Sequence, residues 1–373
     1  MRKILLLAAA LIAPLLTSPA PLAAQASAAQ AAGKTKPSPL APSEIVAAAP
    51  QADWTRIAPS DLLVMELAPP AQGPGQASAK GRPRRVVIQL MPPPFSQGWI
   101  ANIRKLAAAH WWDGMSINRV QDNYVVQWGD PNADDKAKAK ALPAGLATML
   151  EACYAIKFSG ENCWQFGATV EDAARAAEDA AIDASFANDK SYRDPSVQST
   201  KRKGLPDGWH QRDSYAPWVE HYKGFPVASD DNRKEPSFWP VHCYGMVGVG
   251  RDLSPNTGSG AELYVVIGQA PRHLDRNIAV VGKVIEGIEF LSSLPRGTGG
   301  LGFYETAGER VPIVSIRLGT EAVDLPQYES LSTDSHSFDR YADARANRRD
   351  AFFIRPAGGA DICNIPVPVR RVK

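Results

Sequence analysis

Arg119 is the side chain around which a site can be built. It lies in Ser116-Ile117-Asn118-Arg119-Val120-Gln121-Asp122-Asn123-Tyr124-Val125-Val126-Gln127-Trp128-Gly129-Asp130, between two short apolar runs. Side chains alternate along a strand, so two paired strands here would put Arg119, Tyr124 and Gln127 on one surface. Arginine stays charged and presents a planar fork of donors. A fixed guanidinium can therefore favour one charge distribution on a bound group by preorganised electrostatics, without a nucleophile. Other chemistries fail on their motifs. No G-x-S-x-G elbow is present for a serine hydrolase. Gly297-Thr298-Gly299-Gly300-Leu301-Gly302 fits G-x-G-x-x-G, but no strand leads directly into it and no helix opens from it, so the dinucleotide reading fails. The 6 histidines show no H-x-x-x-H spacing and the 4 cysteines no C-x-x-C, which leaves a zinc site without support. No metal and no cofactor are expected.

Further along come Gly245-Met246-Val247-Gly248-Val249-Gly250, then Pro255-Asn256-Thr257, then Glu262-Leu263-Tyr264-Val265-Val266, then His273-Leu274-Asp275, then Val281-Gly282-Lys283-Val284. In order, polarity and spacing, these stretches and the Arg119 stretch together resemble the cyclophilin family of peptidyl-prolyl cis/trans isomerases. The resemblance covers roughly residues 60–130 and 240–318, with a long unmatched segment between. It implies a mainly β fold, a closed eight-stranded antiparallel barrel with capping helices, here carrying a partly helical insertion. It also implies that Arg119, Tyr124 and Gln127 are catalytic. Tyr124 would pack on the substrate proline, and Gln127 would orient the substrate backbone. Val125 stands where the family has methionine. Gly250 and Arg251 stand where the family's Ala-Asn backbone holds an extended peptide. One inserted residue between Asn256 and Ala261 then brings Glu262 to a glutamine position and Tyr264 to a pocket phenylalanine. His273 falls on an aromatic position, Leu274 matches directly, Ile278 replaces a histidine and Val281 a core phenylalanine. Tyr264, Leu274 and Val281 read equally well as plain barrel core. Glu262 is the sharpest departure, since a carboxylate near Arg119 could either order it or neutralise its field.

The reaction so implied makes and breaks no covalent bond. The amide must twist over a barrier of ~18–20 kcal/mol, and a cation that donates hydrogen bonds near the proline favours the twisted form over both planar forms.

Residues 61–67 and 85–90 read as a strand pair joined by a Gly/Pro/Lys loop. Ser96 reads as the cap of a helix through Ala109, with Trp99, Ile100, Ile103, Leu106 and Ala107 at helical spacing. Trp111 and Trp112 read as core. Residues 131–240 form an insertion too long to be a simple loop. In it Thr169 can cap a helix over 170–184, and Trp164, Trp209, Trp218 and Trp239 argue for packing. Strands follow at 245–249, 263–267, 280–285 and 312–318, with a short helix at 287–294. The cyclophilin-like region is bounded at 54–318, and residues 319–373 are a C-terminal extension. That extension holds a charged surface helix over 338–353 and an end kept extended by Pro366 and Pro368.

The chain has 373 residues, a net charge of +2 and 21% charged residues, which gives no argument for nucleic acid. Met1-Arg2-Lys3 precedes an apolar run from Ile4 to Leu16 and then Ala24-Gln25-Ala26. This order predicts a signal peptide over 1–26, followed by a flexible Ala/Pro/Ser/Gln linker over 27–53. The apolar run is shorter than the ~20 residues of a span, so no stable membrane span remains after cleavage. A periplasmic or secreted location follows, with proline-containing polypeptides of the cell envelope as substrates. Cys153, Cys163, Cys243 and Cys363 could then be oxidised, and three pairings stay open. The competing function is a catalytically weak or inactive binding or chaperone module of the same fold. Oligomeric state, clients and the preferred residue before proline are left open.

Overall fold

A computed structural model describes residues 38–69, 84–157, 213–232 and 236–372. The expected signal peptide, residues 27–37 of the linker and the helix over 170–184, with Trp164, Trp209 and Cys163, lie outside the described residues. The strands of the described chain are β1 (Trp54–Ile57), β2 (Leu62–Leu67), β3 (Arg84–Leu90), β4 (Ser116–Val120), β5 (Val125–Gly129), β6 (Ile156–Lys157), β7 (Trp218–Tyr222), β8 (Phe225–Ser229), β9 (Ser237–Pro240), β10 (Met246–Val249), β11 (Leu263–Val266), β12 (Val280–Glu286), β13 (Val311–Leu318), β14 (Tyr328–Leu331) and β15 (Val369–Arg371). The helices are α1 (Pro42–Ala47), α2 (Gln97–Ala108), α3 (Glu289–Ser292) and α4 (His336–Ala346).

Eight strands close into an antiparallel barrel in the order β10-β11-β5-β4-β13-β2-β3-β12. Alternation decides what fills it. Ile117, Val126, Trp128, Leu263, Val265 and Val281 join the main buried cluster. Their sequence neighbours on β5 and β11, such as Val125, Tyr264 and Val266, form a separate cluster on the other face of the strands. The buried face of α2, with Trp99, Ile103 and Leu106, belongs to the main cluster, and α2 packs against β12 and β13. The tryptophans are core as expected, and they also tether a loop. Trp99 Nε1 donates to the Thr257 carbonyl at 3.0 Å and Trp112 Nε1 to the Ala261 carbonyl at 2.9 Å. Those bonds fix the chain just before Glu262.

Several local expectations are corrected. Ser96 does not cap α2 through its side chain; it sits at φ 58, a left-handed conformation. The linker expected to run flexibly to residue 53 holds α1, which packs against α4, with Ile45 buried in the core. The tail helix ends at Ala346 rather than at 353, and its cap is Ser335, whose side chain accepts from the Phe338 N–H. The described part of the insertion is a four-stranded sheet in the order β6-β9-β8-β7. Its hairpin pairs Tyr222 with Phe225 around Lys223 and Gly224, both at positive φ. This two-residue turn matches the twist of its strands, which favours a hairpin over a helix. Lys283 on β12 docks the hairpin: its buried ammonium donates to the Gly224 carbonyl at 2.7 Å and lies 4.7 Å from the Phe225 ring centroid. Burial pulls this amine down to about 7.

The tail also folds back. β14 pairs with β1 on one side and β15 on the other, giving a three-stranded sheet. A disulfide joins Cys243 to Cys363 across a separation of 120 residues, which selects among the open pairings; Cys153 is disulfide-bonded as well. No helix among the described residues is long and apolar enough to cross a membrane.

Candidate active site

Cross-strand register aligns the site. Arg119 on β4 lies opposite Gln127 on β5, Gln127 opposite Tyr264 on β11, and Tyr264 opposite Gly248 on β10. Directly opposed residues share a face, so Arg119, Gln127 and Tyr264 form one row across three neighbouring strands. A bulge between Ile117 and Arg119 breaks the β4–β5 register, and bulges re-aim the side chain beside them. Asn118 holds the bulge: Ser116 Oγ donates to its Oδ1 at 2.6 Å, and its Nδ2 donates to the Gly129 carbonyl at 3.1 Å.

The Arg119 guanidinium is fixed on several sides. Nε donates to the Leu301 carbonyl at 2.7 Å and Nη1 to Gln127 Oε1 at 3.3 Å, while Nη2 donates to Gln121 Oε1. It lies 5.7 Å from the Tyr124 ring centroid and 5.3 Å from that of Phe303, a cation between two aromatic faces. Partial burial lowers its pKa from the usual arginine value, yet a group this basic stays protonated.

Beside the cation lies an apolar cluster on the outer face of the strands. Val125, Tyr264 and Val266 form its buried base, with Tyr124, Leu274 and Ile278 packed against it. The His273 ring stacks on Tyr124 at 6.3 Å, 10° from parallel. Gly248 makes room for the Tyr264 ring, since a Cβ there would lie 2.3 Å from Tyr264 Cζ. The Gly250 N–H donates to the Glu262 carbonyl at 2.8 Å, and a Cβ on Gly250 would lie 2.9 Å from Glu262 Cβ.

One expected site residue stands apart. Val281 is in the barrel interior with the main core, because it points to the opposite face from the pocket. Arg251 donates to the Asn277 and Asp252 carbonyls, at 3.0 and 2.7 Å, and so is engaged by its own loop and a neighbouring one.

Glu262 neither pairs with Arg119 nor opposes it directly, because Gln127 stands between them. Gln127 accepts from Arg119, and its side chain also favours the charged form of the Glu262 carboxyl. A Cβ on Gly129 would lie 1.9 Å from Glu262 Oε1, so glycine is what admits the carboxyl. Burial pushes its pKa up to about 7, against the smaller opposing effects of the Asp130 backbone and Gln127 hydrogen bonds. Near neutrality part of the population carries a neutral acid, the closest carboxyl equivalent of glutamine.

From about 4.5 to about 7 the native chain holds this proton and the unfolded chain does not, so stability falls as pH rises through that window. The slope from one such group is at most about 1.4 kcal/mol per pH unit. Glu262→Gln should flatten it. Urea unfolding of both proteins across the window checks this, and stability curves that stay parallel would remove the raised pKa.

Sequence reasoning missed Gln121, Leu301, Phe303 and His242. The glycines that imitate a dinucleotide loop were the available signal for two of them. A Cβ on Gly302 would lie 2.6 Å from Gln121 Cα, and Leu301 has φ 56. The loop needs glycine to lie against β4, where it delivers the Leu301 carbonyl and the Phe303 ring to Arg119.

Residues 185–318 match the family model described as cyclophilin type peptidyl-prolyl cis-trans isomerase/CLD. Among solved structures, cyclophilin AquaCyp293 from Hirschia baltica shares the fold at a TM-score of 0.52 and 19% identity, covering 87% of this chain and 97% of that one. A cyclophilin type peptidyl-prolyl cis-trans isomerase of Cryptosporidium parvum is similar at a TM-score of 0.33 and 11% identity, covering 69% of this chain and 96% of that one. Comparison with curated proteins found no match.

Proposed function

We propose that this cyclophilin-type chain catalyses cis/trans isomerisation of X-Pro peptide bonds, with Arg119 as the residue that lowers the barrier. The observation that carries the reading is the placement of a fixed, partly desolvated guanidinium and the Gln127 amide beside an apolar cluster on the outside of the barrel. The pyrrolidine ring of proline fits the surface of Tyr124, Val125, Tyr264, Leu274 and Ile278. Gln127 supplies an amide for the substrate backbone. Twisting the bond removes conjugation and leaves the proline nitrogen with a lone pair. N–H donors of Arg119 beside that nitrogen favour the twisted state over either planar state, so binding energy is expressed at the barrier top. His273 and the Gly250 backbone border the same cleft and would hold residues flanking the proline.

The substrates we propose are exported polypeptides of the cell envelope. The support is the basic and apolar order of residues 1–26 and the use of the cysteines as disulfides, which persist in oxidising compartments. Uncatalysed isomerisation takes tens of seconds, long enough to limit folding there.

The test is isomerisation of a short X-Pro peptide by the purified chain, read by exchange NMR. The expected result is exchange that accelerates in proportion to protein concentration. Peptide binding without acceleration would select the non-catalytic binding module instead.

A further inference from the structure

Tyr264 stands in the pocket but carries a phenol, and a buried hydroxyl needs a partner. The partner is His242, whose Nε2 lies 2.9 Å from the Tyr264 hydroxyl. Both residues are buried, His242 completely, and their rings are 8° from parallel. His242 Nδ1 lies 2.9 Å from Asp275 Oδ1, and the His242 backbone N–H donates to the same oxygen at 3.0 Å. A carboxylate only accepts, so Nδ1 carries the proton; in the neutral ring Nε2 then accepts the Tyr264 O–H. Asp275 is anchored in turn, with its Oδ2 accepting from Arg272 Nε at 2.7 Å. Arg272 Nη1 donates to Asp213 Oδ2 at 2.7 Å and, more distantly, to Asp361 Oδ2 at 3.5 Å. The tail thus reaches this network through Asp361, and Cys243, next to His242, is bonded to Cys363.

We propose that His242, oriented by Asp275, is a positioning residue for the proline pocket and fixes the Tyr264 ring through its hydroxyl. The inference rests on the pocket being the proline site. The ring lies over Gly248, the residue opposite it, where a Cβ would come within 2.3 Å of Cζ, so its hydroxyl end is what the bond to His242 fixes. A phenylalanine would be held by packing alone. The phenol is held by a directional bond to a histidine whose other nitrogen is already committed.

The test is a double-mutant cycle on an X-Pro peptide with kcat and KM read separately. His242→Leu breaks the bond, His242→Gln can keep both contacts, and Tyr264→Phe breaks the bond from its other end. Loss of one hydrogen bond that holds the pocket wall should raise KM on the order of five- to tenfold in His242→Leu. His242→Gln should restore most of that loss. In a Tyr264→Phe background, His242→Leu should have no further effect on KM, since contacting residues couple and independent ones do not. Two independent, multiplying effects would overturn the proposal. Should His242→Leu not fold, Tyr264→Phe alone decides, and an unchanged KM overturns it. A second readout is the Tyr264 ring signal in protein labelled at tyrosine, which should move in His242→Leu and return in His242→Gln. This signal separates the two readings. A wild type without isomerase activity would end the functional reading, while a Tyr264 signal indifferent to His242→Leu would end the positioning role.

Discussion

Arg119→Ala should lower kcat/KM on an X-Pro peptide by about 10²–10³, the loss seen when one preorganised donor is removed from a barrier-lowering site. That corresponds to about 3–4 kcal/mol in the barrier. The unfolding midpoint should move far less. The side chain lies half-buried over the outside of the barrel rather than in it, between Tyr124 and Phe303, and substitutions outside the core usually stay within about ±0.5 kcal/mol. Its bonds to the Leu301 carbonyl and Gln121 add a modest cost to that figure. Arg119→Lys keeps the charge but not the fork that spans Leu301, Gln121 and Gln127 together, so it should remain well below wild type. Peptide isomerisation and urea unfolding, measured on the same preparations, decide the matter. Full activity in Arg119→Ala removes Arg119 from the mechanism.

Arg272→Met should cost about 3–5 kcal/mol of stability, because it strips the counter-charge from buried carboxylates. The side chains of Arg272, Asp213 and Asp275 are 1%, 0% and 6% exposed. The arginine also stacks 4.9 Å from the Tyr215 ring centroid. Asp213 belongs to the insertion, Asp275 to the loop before β12 and Asp361 to the tail, so one guanidinium joins three separate parts of the chain. Denaturant unfolding should show the loss as a lower midpoint. A midpoint shifted by the equivalent of less than about 1 kcal/mol would mean that the carboxylates are relieved some other way, contrary to their burial.

Alternation made the strands legible, and their closure into an eight-stranded barrel came from the resemblance. The Arg119 row was legible because Arg119, Tyr124 and Gln127 sit close together in sequence, where a hairpin fixes their geometry. Register across β5, β11 and β10 comes from the resemblance, not from local pattern, and Glu262 and Tyr264 fall into place there. What could not be read depends on distant partners. The Trp54–Ile57 stretch has too few residues to announce a strand, and its partner lies in the tail. His242 alone carries no signal; only the extra hydroxyl of Tyr264 asks for an acceptor. Val281 stayed open between pocket and core because an apolar position on a strand does not say which face it serves, and a one-residue change of phase sends it inward. The Cys243–Cys363 pairing needed the fold, since three connectivities satisfy the composition equally.

The sheet of β1, β14 and β15 sets an order of events during synthesis. Trp54 faces Leu331 and Ile57 faces Tyr328, so β1 emerges early and waits for partners encoded after the whole barrel. At roughly 5–20 residues per second the wait is on the order of tens of seconds. Through that interval β1 is an unpaired strand with two apolar side chains, open to pairing with another chain. The barrel can close meanwhile, because its last strand, β13, precedes β14. Nascent chains should therefore pass through a stage with a finished barrel and a bare leading strand, and whatever binds the chain early has Trp54–Ile57 as its accessible edge.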